Sequence, residues 1–216
     1  MGIIKNGING GFRNKAGTVV GYNLMGQDII RSSPEARTSK PTPAEHLNRT
    51  KFKTSQSWLQ PITPVLRIGF ENYKPFCHGF NGAKSFTALN AVIDTDNGFE
   101  VDPSLACVSH GPLSGDPTVT VELGPQNDIL FTWDGKGKGL YDDRVIAVAY
   151  DITAQKAEFD TSLAQRAAKK ASLWIGKEFA GHDLHIYFAF VSEDRKQRSI
   201  SQYLGIIQMP LERTEE

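Results

Sequence analysis

Two stretches in the second half of the chain, RVIAVAYD (Arg144 to Asp151) and DLHIYFAFVS (Asp183 to Ser192), are apolar at both odd and even positions. Successive side chains of a strand point to opposite faces, so a strand with one wet face alternates, whereas these two must be covered on both sides. They are expected at the centre of a sheet, with a second sheet over one face. The other face then needs either the N-terminal part of the chain or a second subunit.

Around these runs the sequence keeps a β grammar from Phe99 onward. SLACVSHG (Ser104 to Gly111), TVTVEL (Thr118 to Leu123), DILFTW (Asp128 to Trp133), ASLWIG (Ala171 to Gly176) and SISQYLGII (Ser199 to Ile207) are strand-length runs parted by Gly, Pro, Asp and Asn. With the two central runs they make seven, which predicts a mainly β fold: a sandwich of immunoglobulin or fibronectin-III type over residues 99–216, with Trp133 as its central aromatic.

Residues 1–98 are expected to form a separate part, a Gly-rich β-arm followed by a helical segment. Residues 2–32 contain seven glycines set around short apolar pairs. Gly10-Gly11, RNKAG (Arg13 to Gly17) and MGQD (Met25 to Asp28) read as turns, and TVVGYNL (Thr18 to Leu24) and IIRS (Ile29 to Ser32) as strands, giving a small meander. Gly17 and Gly26 suit positive φ, and Gly21, inside a strand, predicts a bulge or another backbone lying close. A linker rich in Ser, Thr and Pro (32–43) precedes a helix from about 43 to 59, a shorter turn up to Gly69 after Pro61 and Pro64, and a second short helix at 82–93.

A ribbon this small cannot hide its own apolar side chains, because isolated hairpins are marginal in water. Ile3, Ile4, Phe12, Val19, Val20, Tyr22, Ile29 and Ile30 are therefore the candidate assembly residues. Their cover comes either from a neighbouring subunit or from Leu47, Phe52 and Trp58 of the same chain.

The chain is 39% apolar and 22% charged, an ordinary globular composition, and carries no net charge. The charges are uneven: residues 1–75 hold 11 Lys/Arg against 4 Asp/Glu, +7, and residues 76–216 hold 13 against 20, −7. A basic front suits phosphates, but these cations are spread through turns and one helix rather than clustered, so a nucleic-acid partner is not expected. No window approaches the ~20 apolar residues of a membrane span, and no Sec-type leader is visible. The default compartment is cytoplasmic; release by a non-Sec route or with a phage-like particle would leave the same sequence.

Catalytic signatures such as G-x-S-x-G, the P-loop, H-E-x-x-H and a G-x-G-x-x-G after a strand are absent, so the expectation is a non-enzymatic protein with no cofactor, no metal and no small-molecule substrate. GKGKG (Gly135 to Gly139) lacks the P-loop's Ser/Thr and reads as a flexible hairpin tip. His182 and His185 should leave opposite faces of a strand, poor for joint metal binding. Asp94, Asp96 and Glu100 around Gly98 fall short of a calcium loop and read as a polar turn. Asp142 and Asp143, beside Arg144, read as ion-pairing and turn-capping residues rather than an acid/base pair. Cys77 and Cys107 have no metal-knuckle spacing and read as two lone thiols, a single disulfide being the alternative.

The opening I-I-x-x-G-x-x-G-G-F-x-x-K-x-G-x-V-V-G-Y, then NRTKF, LQPITPVLRIGF, YDDRVIAVAYD, LHIYFAFVSED and the S-x-S-x-Y-x-G of Ser199 to Gly205, resembles a family of Bacteroidota proteins that carries only a domain-of-unknown-function label. The resemblance runs nearly end to end and implies no activity and no functional residues. The expectation is thus a structural protein that self-associates through its β-arm into an oligomer or filament. The alternative is a binding module, for glycan or nucleic acid and phage-related in one version, using the basic front or the sandwich loops.

Overall fold

The computed structural model describes residues 10–75, 77–96, 98–116 and 118–211, together with the backbone of residues 3–4. The chain divides into two compact units, Met1–His46 and Leu47–Glu216.

The first unit is one antiparallel sheet in the order β1 (Ile3–Ile4), β2 (Phe12–Ala16), β3 (Val19–Leu24), β4 (Gln27–Ser32). Ala16 pairs with Val19 across a two-residue loop in which Gly17 has φ +62°, and Leu24 pairs with Gln27 across Met25 (φ +49°) and Gly26 (φ +90°). Two successive positive φ values make the second loop a type I′ turn, whose twist matches that of its strands. Gly21 is the close approach expected of it: a Cβ there would run into the Phe12 carbonyl. The expected turn at Arg13 to Gly17 is mostly strand β2, bent at Asn14 (φ +75°), with only Gly17 and Thr18 left to turn.

Helix α1 (Pro43–Leu59) has the bounds that the sequence predicts. A capping box starts it: the Glu45 N–H donates to Thr42 Oγ1 at 3.3 Å and the Thr42 N–H donates to Glu45 Oε2 at 2.7 Å, with Pro43 in the first helical position. Pro61 stops it, and α2 (Thr63–Gly69) and α3 (Gly79–Asn90) follow. A hairpin, β5 (Val92–Thr95) with β6 (Gly98–Val101), leads into the sandwich.

Seven more strands are described: β7 (Thr120–Leu123), β8 (Asp128–Thr132), β9 (Arg144–Asp151), β10 (Lys156–Asp160), β11 (Lys170–Trp174), β12 (Asp183–Val191) and β13 (Gln202–Gln208). They form two antiparallel sheets, β10-β9-β12-β13 and β11-β8-β7. The fold is mainly β and sandwich-like, with a helical layer added.

The doubly apolar strands explain the layering. Ile146, Val148 and Tyr150 of β9, with Tyr187, Ala189 and Val191 of β12, share one buried cluster with Trp58, Leu59, Leu66 and Phe70 of the helical segment. Val145, Ala147 and Ala149, with Leu184, Ile186, Phe188 and Phe190, share another with Ile129, Phe131 and Trp133 of the facing sheet. Helices cover one face and the second sheet the other, so no second subunit is required. Each such large side chain, fully buried, contributes about 1.5–3 kcal/mol. The Tyr150 hydroxyl donates to the Trp58 carbonyl at 2.8 Å, fastening α1 to β9.

Two strand assignments differ from expectation. Ser104 to Gly111 forms no ladder; it is an extended strap held by single bonds, His110 N–H to the Gly69 carbonyl at 2.9 Å and Ser109 Oγ to the Ser199 carbonyl at 2.8 Å. Strand β10, KAEFD, takes the place of the lost run on the open edge of β9, so the sandwich still has seven strands. The second helix starts at Gly79, three residues before the expected Gly82.

Candidate functional site

The register of the ribbon places its candidate residues on two faces. Val20, Tyr22 and Leu24 of β3 lie with Ile29 of β4 on one face, Tyr22 directly opposite Ile29, while Val19 and Ile30 lie on the other. Phe12 lies over Gly21 from β2. The side chains of Ile3 and Ile4 fall outside the described residues; their backbones pair with Arg13 and Phe12.

None of the described apolar side chains in the ribbon is fully buried. Phe12, Val19, Val20, Leu24 and Ile29 are half-buried, and Tyr22 (37%), Met25 (51%) and Ile30 (61%) are exposed. Neither core cluster includes a residue before Trp58. Trp58 is committed to the second unit, edge-on to Tyr150 at 5.1 Å and to Tyr187 at 6.4 Å, while Leu47 and Phe52 are more than half exposed. Strand β4 pairs with β3 on one side, and among the described residues its other edge is unpaired.

A second candidate lies at the loop end of the sandwich. The β8–β9 and β12–β13 loops enclose an open cavity of about 580 Å³, lined by Lys138, Leu140, Asp142, Asp143, Glu193 and Asp194 among others. Leu140 of this lining is 65% exposed, and the neighbouring Tyr141 is 75% exposed. Beneath them Arg166 and Asp143 form a buried ion pair, Nε to Oδ2 at 3.0 Å. Arg166 also donates to the Ser114 carbonyl at 2.6 Å, and its guanidinium lies 3.8 Å from the centre of the Phe190 ring. Burial pushes Asp143 above its ordinary value even against the pull of Arg166, and burial lowers Arg166.

The glycine run has a use that its composition conceals. A Cβ at Gly137 or Gly139 would collide with the Arg166 guanidinium, and the amides of Gly135 and Gly137 face the buried Asp116 carboxylate. Burial tends to raise Asp116, but those amides and Thr118, whose hydroxyl donates to Oδ1 at 2.6 Å, together hold it below its ordinary value. The expected flexible tip is instead a backbone wrapped around charge. Ion pairing and capping do occupy Asp143, through Arg166 and the Leu140 N–H at 3.0 Å; Arg144 pairs with Glu193 instead. Sequence reading missed Arg166 and Asp116, for which the spaced glycines were the available signal.

The remaining polar residues stand apart. His182 Nδ1 bonds Asp151 Oδ2, while His185 Nδ1 lies 2.9 Å from the Tyr203 hydroxyl and is lowered by burial. Asp94, Asp96 and Glu100 belong to the β5–β6 hairpin. Both cysteines are free and half-buried, and burial pushes the Cys107 thiol up. Among the described residues no three His, Cys, Asp or Glu side chains come together as a metal site, and no helix is long and apolar enough to cross a membrane.

Residues 9–205 match the family described as "Family of unknown function (DUF6266)". No curated protein matches the chain.

Proposed function

The chain belongs to the DUF6266 family, a family of unknown function, and from that premise we propose that it is a non-enzymatic structural protein that self-associates through its N-terminal ribbon. One observation carries the reading: a compact unit of four strands in which none of the described apolar side chains is fully buried. Such a sheet is marginal alone and gains stability when another surface removes Tyr22, Ile29 and Ile30 from water. Its open β4 edge is also a template for main-chain pairing. Ribbon-to-body contact between copies is heterologous, so it closes into a ring or propagates as a filament. The three-plus-four split of the sandwich strands supports an immunoglobulin or fibronectin-III-like body, and the motif resemblance supports a Bacteroidota source.

Light scattering across a concentration series, with negative-stain imaging, tests this on the full chain and on Ile30→Lys. The wild type is expected to form oligomers or filaments and Ile30→Lys to stay a folded monomer, since Ile30 is 61% exposed. A wild type that stays monomeric at high concentration overturns the proposal.

A binding-module reading is favoured by a different observation, the exposed Leu140 and Tyr141 beside the loop-end cavity. Aromatic and aliphatic side chains offer a docked ligand large apolar contact area. Under that reading Tyr141→Ala abolishes retention on a glycan panel without altering assembly.

A further inference from the structure

On the assembly reading above, we propose that the acceptor for the ribbon is the free edge of β13 in a second copy of this chain, with β4 as the added strand. Folded proteins defend sheet edges by keeping them short, by placing charges on them or by bulging them. In the second unit, β5, β6 and β7 are four residues long and carry Asp94, Glu100 and Glu122. Strand β10 carries Lys156, Glu158 and Asp160, and β11 opens with Lys170. Strand β13, QYLGIIQ, is seven residues long and has no charged residue.

The β13 edge is uncharged and, although β7 of the facing sheet approaches it, unpaired. Among the described residues, Tyr203–Gln208 makes backbone bonds toward β12 and none on its other side. Ile206 is 56% exposed, and the space where Gly205 would carry a Cβ is empty. The irregular register opposite His185 and Tyr187, at Gly205 (φ +96°), is the one defence the strand has. A bulge disrupts a ladder at one point, and on either side of it Tyr203 and Ile206 to Gln208 keep strand pairing with β12.

Charge favours a partner of this composition. Residues 1–46 carry six Lys/Arg against three Asp/Glu, +3, and residues 47–216 eighteen against twenty-one, −3. A basic ribbon and an acidic body attract each other, while body-to-body approach through two β13 edges brings like charge together.

Hydrogen exchange read by mass spectrometry, alongside light scattering, tests the assignment on the full chain, Ile30→Lys and Ile206→Lys. Peptides spanning 202–208 should exchange about tenfold more slowly or better in the assembled wild type than in monomeric Ile30→Lys, because strand addition protects the outward amides in any register. Ile206→Lys should abolish assembly as Ile30→Lys does, and melt as the Ile30→Lys monomer does, since Ile206 is 56% exposed. If Ile30→Lys dissolves the assembly but 202–208 exchanges alike in both states, assembly through the ribbon stands and β13 is the wrong acceptor. If the wild type is monomeric with 202–208 protected and Ile30→Lys loses that protection, the ribbon folds back on its own chain and the second-copy assignment is overturned. A wild type that assembles regardless of Ile30→Lys overturns both readings.

Discussion

Replacing Arg166 by methionine removes the cation from a pair that water barely reaches: the side chains of Arg166 and Asp143 are 4% and 1% exposed. Methionine keeps much of the aliphatic stem against Phe190 but leaves the Asp143 carboxylate with the Leu140 N–H at 3.0 Å as its remaining hydrogen bond. Breaking a buried ion pair on one side costs about 3–5 kcal/mol, because the remaining charge stays desolvated without its partner. For a unit of this size each kcal/mol lowers the melting temperature by about 2–4 °C, so the expected fall is about 6–20 °C. Arg166→Met/Asp143→Asn, which removes both charges and keeps an acceptor for Leu140, should melt above Arg166→Met alone.

The pH dependence of this deficit has a definite sign. Burial already holds Asp143 above its ordinary value, and loss of Arg166 raises it further. A carboxyl whose folded pKa exceeds its unfolded one binds a proton preferentially in the folded state, so stability is regained as the pH falls through the folded pKa. The gap between Arg166→Met and wild type should therefore narrow on acidification from neutrality, followed by calorimetry or by tryptophan fluorescence in urea. A melting-temperature change below about 2 °C, or a deficit that ignores pH, refutes the reasoning, since a solvated pair is worth no more than about 1 kcal/mol.

Gly69→Ala should destabilise although alanine is the better helix former by about 1 kcal/mol, because the new Cβ would run into the Val108 carbonyl of the strap. Overpacking costs about 1–3 kcal/mol, so the net effect is a lower urea midpoint. Acid sensitivity should come partly from Asp151, 2% exposed, where burial raises the carboxyl but the Ala154 N–H at 2.8 Å and His182 outweigh it and hold it below 3.8. The unfolded chain then takes up the proton first, so this contribution is complete above the ordinary aspartate value and is lost as the pH falls through the lower folded one. Asp151→Asn should be less stable at neutral pH and lose less stability on acidification.

How legible each element was depends on where its determinants lie. Helix α1 could be bounded from the sequence because Thr42, Pro43, Glu45 and Pro61 are local signals. Strand β9 could be bounded because its whole length is apolar between an Arg and an Asp. Helix α3 begins earlier than propensity suggests: Gly79, a poor helix former, is where a Cβ would strike the carbonyls of Leu66 and Arg67. The strap at Ser104 to Gly111 has strand-like residues, yet its bonds run singly to Gly69 and Ser199 and form no ladder. Strand β10, with charge at alternate positions, is a strand because β9 offers it an edge. Of the candidate surfaces, the ribbon was visible in its glycines and apolar pairs. The loop-end cavity was not, since its walls come from segments about fifty residues apart.

The residue pattern by itself determined that this chain is mainly β, that its two central strands are wet on neither face, and that its first residues form turns and short strands with little to bury. Those properties depend on period, turn chemistry and capping, each written within a few residues. Tertiary structure alone decided that the helices rather than a second subunit cover β9 and β12, and that three glycines gather around Arg166, Asp143 and Asp116. These outcomes depend on which distant surfaces come into contact, and a linear pattern does not encode the distance between its parts.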